Sequence, residues 1–399
     1  MSKLRQTESQ LLSVYQKVNP STYGIETDDA EFRNRQAFFS GLLHQRLCFP
    51  KKMFQGADLI EFGSGTGEHS LFYMLWGAHA TFVEINGQAI DRMHGLFKHF
   101  HVPADRYQTI QQSIFDFEPD RTWDIVATMG VLHHLEDKEQ AFDRVASCVA
   151  PEGFLLLGVG NKAGMFQRNL QRLVVHHYAG QDHERIEQVA EKLFSEHLDR
   201  AQRFGRRSRK AIIYDTYVNP KIDSMSVGEV MTLFRNNGLR LYSAWPPVMP
   251  AMLGDSPARP VPEPLEWPSL LGMAELAWLA HREDDADVLP AMSSPLSSAL
   301  GSLGVLLGQI NDQTADAPLA MDELLDTVKQ ANAQVGRMPD PYRPVIDRVA
   351  GLLAEVDNLV KLLAGGGIDD VHAHLQGCEI LFRGTGGLGM NYFIGQKHA

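Results

Sequence analysis

Leu59-Ile60-Glu61-Phe62-Gly63-Ser64-Gly65-Thr66-Gly67 joins a short apolar run to a glycine-rich turn. Glycine has no Cβ, so backbone in such a turn can approach a ligand closely. The stretch after it, EHSLFYMLWGA, has helical character, and ATFVEIN at 80–86 is a second apolar run. An amphipathic segment over 88–100 follows, then YQTIQQSIFDF, then WDIVATMGVL at 123–132 as a buried strand. A helix over 136–149 is stopped by Pro151-Glu152-Gly153, and FLLLGVG is the next strand. Short apolar strands alternating with helices of ~10–15 residues predict an α/β fold with a doubly wound, mostly parallel sheet over 57–160.

Upstream, EFRNRQAFFSGLLHQRLC at 31–48 carries Phe32, Phe39, Leu42 and Leu43 at helical spacing, with Asp28-Asp29 as its start. Downstream, 161–204 reads as polar helix and AIIYDTYV at 211–218 as another short apolar run. MSVGEVMTLFRNNGL is a helix closed by Gly238, and LRLYSAW is the strand after it. Residues 246–268 hold eight of the chain's 20 prolines, which oppose both helix and central strand and mark a linker. Residues 269–375 have helical spacing, and CEILFRGTGGLGMNYFIGQK returns to strand character around a hairpin-like Gly384-Thr385-Gly386-Gly387. The expected organisation is an N-terminal helical cover (1–50), a core (51–248) with a helical insertion near 161–210, a Pro-rich linker with a second helical insertion (249–375), and C-terminal strands completing the core sheet (376–399).

The 399 residues allow two or three domains at ~100–200 residues each, or one with large insertions. Hydrophobic residues at 44 % and charged residues at 22 % exclude wholesale disorder. Lys plus Arg is 37 against 49 Asp plus Glu, a net charge of −12, which makes a nucleic-acid partner unlikely. Cys48, Cys148 and Cys378 are too few and too scattered for a disulfide framework, and no Cys/His spacing supports a metal. Reduced thiols, together with no apolar run of ~18 residues and no signal-peptide pattern, predict a cytoplasmic protein without a membrane span. No oligomeric state is assigned.

Two ligand classes use a strand, a glycine turn and a helix. A dinucleotide needs G-x-G-x-x-G so that its pyrophosphate can sit on the helix N-terminus. Here the third glycine position is Glu68, an anion where the pyrophosphate would lie. Glu61 suits a cationic ligand group instead. Seventeen residues beyond Gly67, Glu84 ends the second strand, where a carboxylate can accept hydrogen bonds from ribose hydroxyls.

Four motifs in order, E-F-G-S-G-T-G, V-E-I-N, D-I-V-A-T-M-G-V-L-H-H-L and P-E-G-F-L-L-L-G, resemble those of class I S-adenosylmethionine-dependent methyltransferases, over roughly 57–160. The resemblance implies that Glu61 and Gly63, Ser64, Gly65, Thr66 and Gly67 hold the methionine end of S-adenosyl-L-methionine. It implies that Glu84 holds the ribose, that Ile85 packs on adenine, and that Met129 and Gly130 close the adenosine pocket. Where the family often has Asp for the adenine amine, this chain has Ser113-Ile114, so the serine hydroxyl or the Ile114 backbone is expected to serve. The product would be S-adenosyl-L-homocysteine. A looser similarity to methyltransferases of bacterial surface sugars lies in NPSTYGI, FGSGTGEHSLFY and GLGMNYFIGQK.

A hydroxyl acceptor must lose its proton, and an imidazole suits that task. His133 and His134 follow the fourth core strand, with His134 the favoured base and a structural loop cap the other reading. Asp215 and Tyr217 are expected to line the acceptor pocket, and Tyr23 and Arg35 to cover the cofactor. Arg200, Arg203, Arg206, Arg207, Arg209 and Lys210 form a basic cluster that points to an anionic acceptor or to a solvated helix face. The expected function is O-methylation of a small molecule or sugar acceptor. The rivals are an RNA or protein methyltransferase and a non-catalytic cofactor-binding scaffold.

Overall fold

The computed structural model describes residues 3–18, 22–205, 207–248, 275, 278, 343–383 and 389–398. Apolar residues run through the strands β1 (Asp58–Phe62), β2 (His79–Glu84), β4 (Trp123–Met129) and β5 (Val149–Gly160), and β3 (Tyr107–Gln111) is a more polar edge strand. Between them run α3 (Ser70–Leu75), α4 (Gly87–His99) and α5 (Lys138–Ser147). After α9 (Val227–Asn236) come β6 (Leu239–Trp245) and finally β7 (Met390–Lys397). The seven strands lie in the order β3-β2-β1-β4-β5-β7-β6, and β7 runs antiparallel to both of its neighbours. The sheet is therefore mostly parallel, as the alternation of strands and helices predicts.

Alternate residues of each strand feed opposite faces. Ile60, Val126 and Leu155 join the helix residues Phe142 and Phe234 on one side. Leu59, Phe82 and Leu156 join Phe72 and Phe97 on the other. Burial of strands on both faces explains their near-continuous apolar sequences. Asn86 and Asp137 start α4 and α5 by accepting from the amides of Gln88 and Gln140.

Helices α1 (Lys3–Lys17) and α2 (Asp29–Ser40) precede the sheet. A third apolar cluster is helical. It joins α6 (Phe166–Ala179), α7 (His183–Gly205) and α8 (Arg209–Ile213) to α10 (Arg343–Gly365) and α11 (Ile368–Gly377). Among the described residues no helix is long and apolar enough to cross a membrane.

Two expectations need correction. The run 211–218 is helical throughout, as α8 followed by a π-turn at Tyr214–Val218. Ser208 caps its start, and Arg172 donates to the carbonyls of Thr216 (2.7 Å) and Asn219 (2.9 Å) at its end. Among the described residues of the last segment, 390–397 is the strand. The Glu355 carboxylate accepts from the amides of Glu379, Ile380 and Leu381, so those donors are not available to a ladder. Residues 384–387, read as a hairpin turn, lie outside the described residues, as does most of the helical reading over 269–342.

Candidate functional site

In an open parallel sheet ligands collect at the carboxyl ends of strands where the winding reverses. Here β1 is flanked by β2 on one side and β4 on the other, so the crevice opens above β1 and β4. The turn after β1 needs its glycines. Gly63, Gly65 and Gly67 have φ of 72°, 56° and 78°. A Cβ on Gly63 would meet the Val131 side chain at 2.4 Å, and one on Gly67 would meet Met93 at 2.5 Å. The turn is tied to β2 by the Gly63 amide on the Val83 carbonyl (2.8 Å) and the Gly65 amide on Glu84 Oε2 (2.8 Å). The Asn86 amide holds Glu84 Oε1 (2.9 Å). Backbone donors thus orient the Glu84 carboxylate, while burial pushes its pKa upward against them.

Glu61 is 3 % exposed and accepts from Ser70 Oγ (2.5 Å). Burial pushes its pKa up to about 7, the Ser70 hydroxyl opposes this, and the charge of Glu84 adds to it. On the same turn and the helix after it, Ser64 Oγ, His69 Nε2 and Tyr73 Oη are buried with no hydrogen-bond partner among the described residues. Buried polar groups are normally satisfied. A carboxylate and orphaned polar atoms above a glycine cradle fit a polar, cationic ligand end, which is what the methionine moiety of S-adenosylmethionine presents. Ser113 and Ile114 are buried at the tip of β3, whereas Ile85, Met129 and Gly130 are half-buried around the same edge.

Glu68, read from sequence only as a bar to pyrophosphate, accepts from the amides of Tyr23 (2.9 Å) and Gly24 (3.3 Å). It thereby draws the segment before α2 onto the glycine turn. Arg35 stacks on Tyr23 at 3.6 Å and pairs with Glu31 at 2.8 Å, and Tyr23 stacks on His69 with ring centroids 6.0 Å apart. His69, missed by sequence reading, is held at a pKa of about 4 by burial and by the nearby Arg35 and Arg207.

After β4, His133 and His134 lie in a single 3-10 turn with ring centroids 4.1 Å apart. His133 Nδ1 accepts from the Gly160 amide at 3.3 Å, the loop-cap role. His134 Nδ1 faces the Lys221 carbonyl at 2.8 Å. A carbonyl only accepts, and at 2.8 Å it outweighs the Asn219 amide nitrogen, a donor 3.2 Å from the same atom, so Nδ1 is assigned the proton and Nε2 the lone pair. Nε2 makes no hydrogen bond among the described residues. Burial lowers the His134 pKa, against the pull of Asp215 and the Lys221 carbonyl. Asn219 packs on the same nitrogen and donates to Tyr15 Oη at 3.2 Å.

Asp215 Oδ2 accepts from Arg168 and from Arg207, both at 3.0 Å. Burial alone would raise its pKa, but Arg207, Arg168 and His134 outweigh this and hold it below the ordinary value. Tyr217, expected beside it in the pocket, is instead a core residue. It is fully buried, its ring stacks on Phe194, and its hydroxyl meets Gln171 at 3.2 Å. The basic cluster also separates. Arg200 donates to the Phe382 carbonyl, Arg207 turns inward to Asp215, and Arg209 pairs with Glu191 and Asp199. Of these side chains Arg207 meets a largely buried acid, while Arg203 and Lys210 stay exposed. Arg206 lies outside the described residues.

A family profile described as a methyltransferase domain matches residues 31–243, just over half of the chain. No curated protein matches the chain. Among solved structures, PKMT2 from Rickettsia typhi in complex with AdoHcy is similar at 15 % identity and a TM-score of 0.41, covering 56 % of this chain and 46 % of that one. The N-methyltransferase NodS from Bradyrhizobium japonicum, with S-adenosyl-L-homocysteine, shows 18 % identity and a TM-score of 0.31 over 42 % of this chain and 77 % of its own. Magnesium protoporphyrin IX methyltransferase from Synechocystis, with bound SAH, shows 12 % identity and 0.35 over 60 % and 87 %. The chain thus spans less than half of the Rickettsia protein it matches.

Proposed function

Because the chain belongs to the methyltransferase-domain family, in the class that uses S-adenosylmethionine, we propose that it methylates an oxygen of a small-molecule or glycan acceptor. When bound, S-adenosylmethionine supplies a methyl group on a sulfonium and leaves as S-adenosylhomocysteine. Catalysis of that kind rests on position and electrostatics, which the chain's own residues provide. Glu61 and the 63–67 turn would hold the amino-acid end, and Glu84 the ribose hydroxyls. Ile85, Ser113, Ile114, Met129 and Gly130 would frame the adenine. Tyr23 and Arg35 would close the glycine turn from above, and Asp215 would order the acceptor side through Arg168 and Arg207.

The observation that carries the choice of oxygen is the Lys221 carbonyl 2.8 Å from His134 Nδ1, which favours the Nδ1–H tautomer. With Nδ1–H spent on the Lys221 carbonyl, Nε2 is a neutral acceptor at the carboxyl end of β4. Its lowered pKa keeps it unprotonated at neutral pH, ready to take a hydroxyl proton as the oxygen attacks. An amine acceptor needs no such group when it is already neutral. Three unpaired cysteines, two of them buried, are consistent with a reducing, cytoplasmic setting.

The test is transfer of a labelled methyl group into fractionated extract. Label in small-molecule or glycan fractions supports the proposal, and label in RNA or protein refutes it. His134→Gln should lower turnover ~10²–10⁴-fold while leaving S-adenosylhomocysteine binding intact. Binding without turnover by the unaltered protein on every fraction would favour a scaffold.

A further inference from the structure

The cofactor site has a contributor outside the sheet, and the argument for it rests on the reading of Glu84 as the ribose holder. β3 lies beyond β2 on the side away from β1. The Gln112 amide donates to the Glu84 carbonyl at 3.1 Å, so the loop after β3 abuts the tip of β2. A base attached to a ribose at Glu84 therefore extends over residues 112–114. Adenine presents an exocyclic amine there, which requires an acceptor.

The local side chain, Ser113, is already committed. Its Oγ accepts from the Phe115 amide at 3.2 Å, and its single proton goes to Glu8 Oε1. That carboxylate arrives on α1, 105 positions earlier in the chain. Its side chain is 11 % exposed, and its other oxygen accepts from Arg5 at 2.7 Å. An ionised carboxylate offers about four lone-pair sites and only accepts. Two are used by Ser113 and Arg5, and the remainder match an amine donor. The C-terminal half of α1 is anchored by Val14 and Tyr15, which pack on the helical apolar cluster, and by Tyr15 Oη on Asn219. Its N-terminal half is held by Glu8, by Arg5 on Asp116, and by Lys3 and Thr7 on Glu136.

We propose that Glu8, delivered by α1 to the tip of β3, accepts a hydrogen bond from the adenine amine, so that α1 forms part of the cofactor site. A charge-assisted hydrogen bond of this kind corresponds to roughly 10–100-fold in affinity.

The test is calorimetric titration of the full chain with S-adenosylhomocysteine and with its analogue carrying unsubstituted purine in place of adenine. The unaltered protein should bind the analogue at least ~10-fold more weakly. In Glu8→Leu, which has a similar shape and no acceptor, the affinity for S-adenosylhomocysteine should fall while that for the purine analogue stays, so the discrimination collapses. Ser113→Ala should keep the discrimination. Equal weakening toward both ligands in Glu8→Leu, no weakening at all, or loss of discrimination in Ser113→Ala alone would each overturn the proposal. An unaltered protein that binds neither nucleoside would instead remove the reading of Glu84 and the crevice on which the proposal rests.

Discussion

Replacing Glu61 by Gln should make the ligand-free protein more stable and the cofactor site weaker. Burial raises the Glu61 pKa from the ordinary 4.5 to about 7. The folded state therefore prefers the protonated carboxyl. Ionisation of Glu61 costs the folded state nothing below pH 4.5, an increasing amount as pH rises from there to about 7, and a constant amount above that. At about 1.4 kcal/mol per pH unit, that interval corresponds to a penalty of roughly 3 kcal/mol at pH 8, an upper limit once the site relaxes. Glutamine removes the ionisation but keeps an oxygen for the Ser70 hydroxyl. Thermal denaturation should then show Tm several degrees above the unaltered protein at pH 8 and no difference near pH 4. Calorimetry at pH 8 should show S-adenosylhomocysteine binding weakened ~10–100-fold, because a charge-assisted contact to its ammonium is lost. For the unaltered protein, affinity should rise as pH passes 7 and the carboxylate forms. A lower Tm for the variant at pH 8, or unchanged binding, would refute the assignment of Glu61 to the amino-acid end.

Two further substitutions test the frame of the site. Gly63→Ala combines a φ of 72° with a Cβ only 2.4 Å from Val131. It should cost about 1–3 kcal/mol in denaturant unfolding and abolish S-adenosylhomocysteine binding, and a variant with full stability and affinity would show that the turn is not tight. Asp215→Asn leaves Arg168 and Arg207 without their shared carboxylate and should destabilise by about 3–5 kcal/mol at pH 7. Since the Asp215 pKa is lowered, its stabilisation is present above the ordinary value of 3.8 and fades in acid, so the deficit measured by denaturation should shrink on acidification.

The sheet was legible because β1, β2, β4 and most of β5 are buried on both faces and bounded by turn residues, a pattern with few alternative readings. The glycine turn after β1 was legible because Gly63, Gly65 and Gly67 sit at positive φ, where backbone geometry limits the choice of residue. What lay beyond local pattern was not. AIIYDTYV reads only as a short apolar run, and Ser208 and Arg172, neither within it, cap it as helix. Tyr217 carries no mark that separates a pocket phenol from a core one, and only the fold turns it toward Gln171. Glu8, His69 and Arg168 were missed because their partners lie 105, 46 and 47 positions away, too far for any spacing rule to connect. Of these, His69 offered a signal, as an imidazole immediately after the glycine turn.

The same crevice holds groups that a well-packed core would not leave as they are. Ser64 Oγ, His69 Nε2 and Tyr73 Oη are buried without partners among the described residues, and each such atom costs about 1–3 kcal/mol when water is excluded and nothing replaces it. Glu61 adds an ionisation penalty of similar size above neutral pH. These costs fall on the ligand-free state. A cationic, hydrogen-bonding ligand relieves both at once, by satisfying the orphaned atoms and by stabilising the carboxylate. The stabilisation by S-adenosylhomocysteine, measured as a rise in Tm at a fixed ligand concentration, should therefore grow between pH 5 and pH 8. A structural origin for the buried groups would leave that rise independent of pH, because nothing in the ligand would then be answering the charge on Glu61.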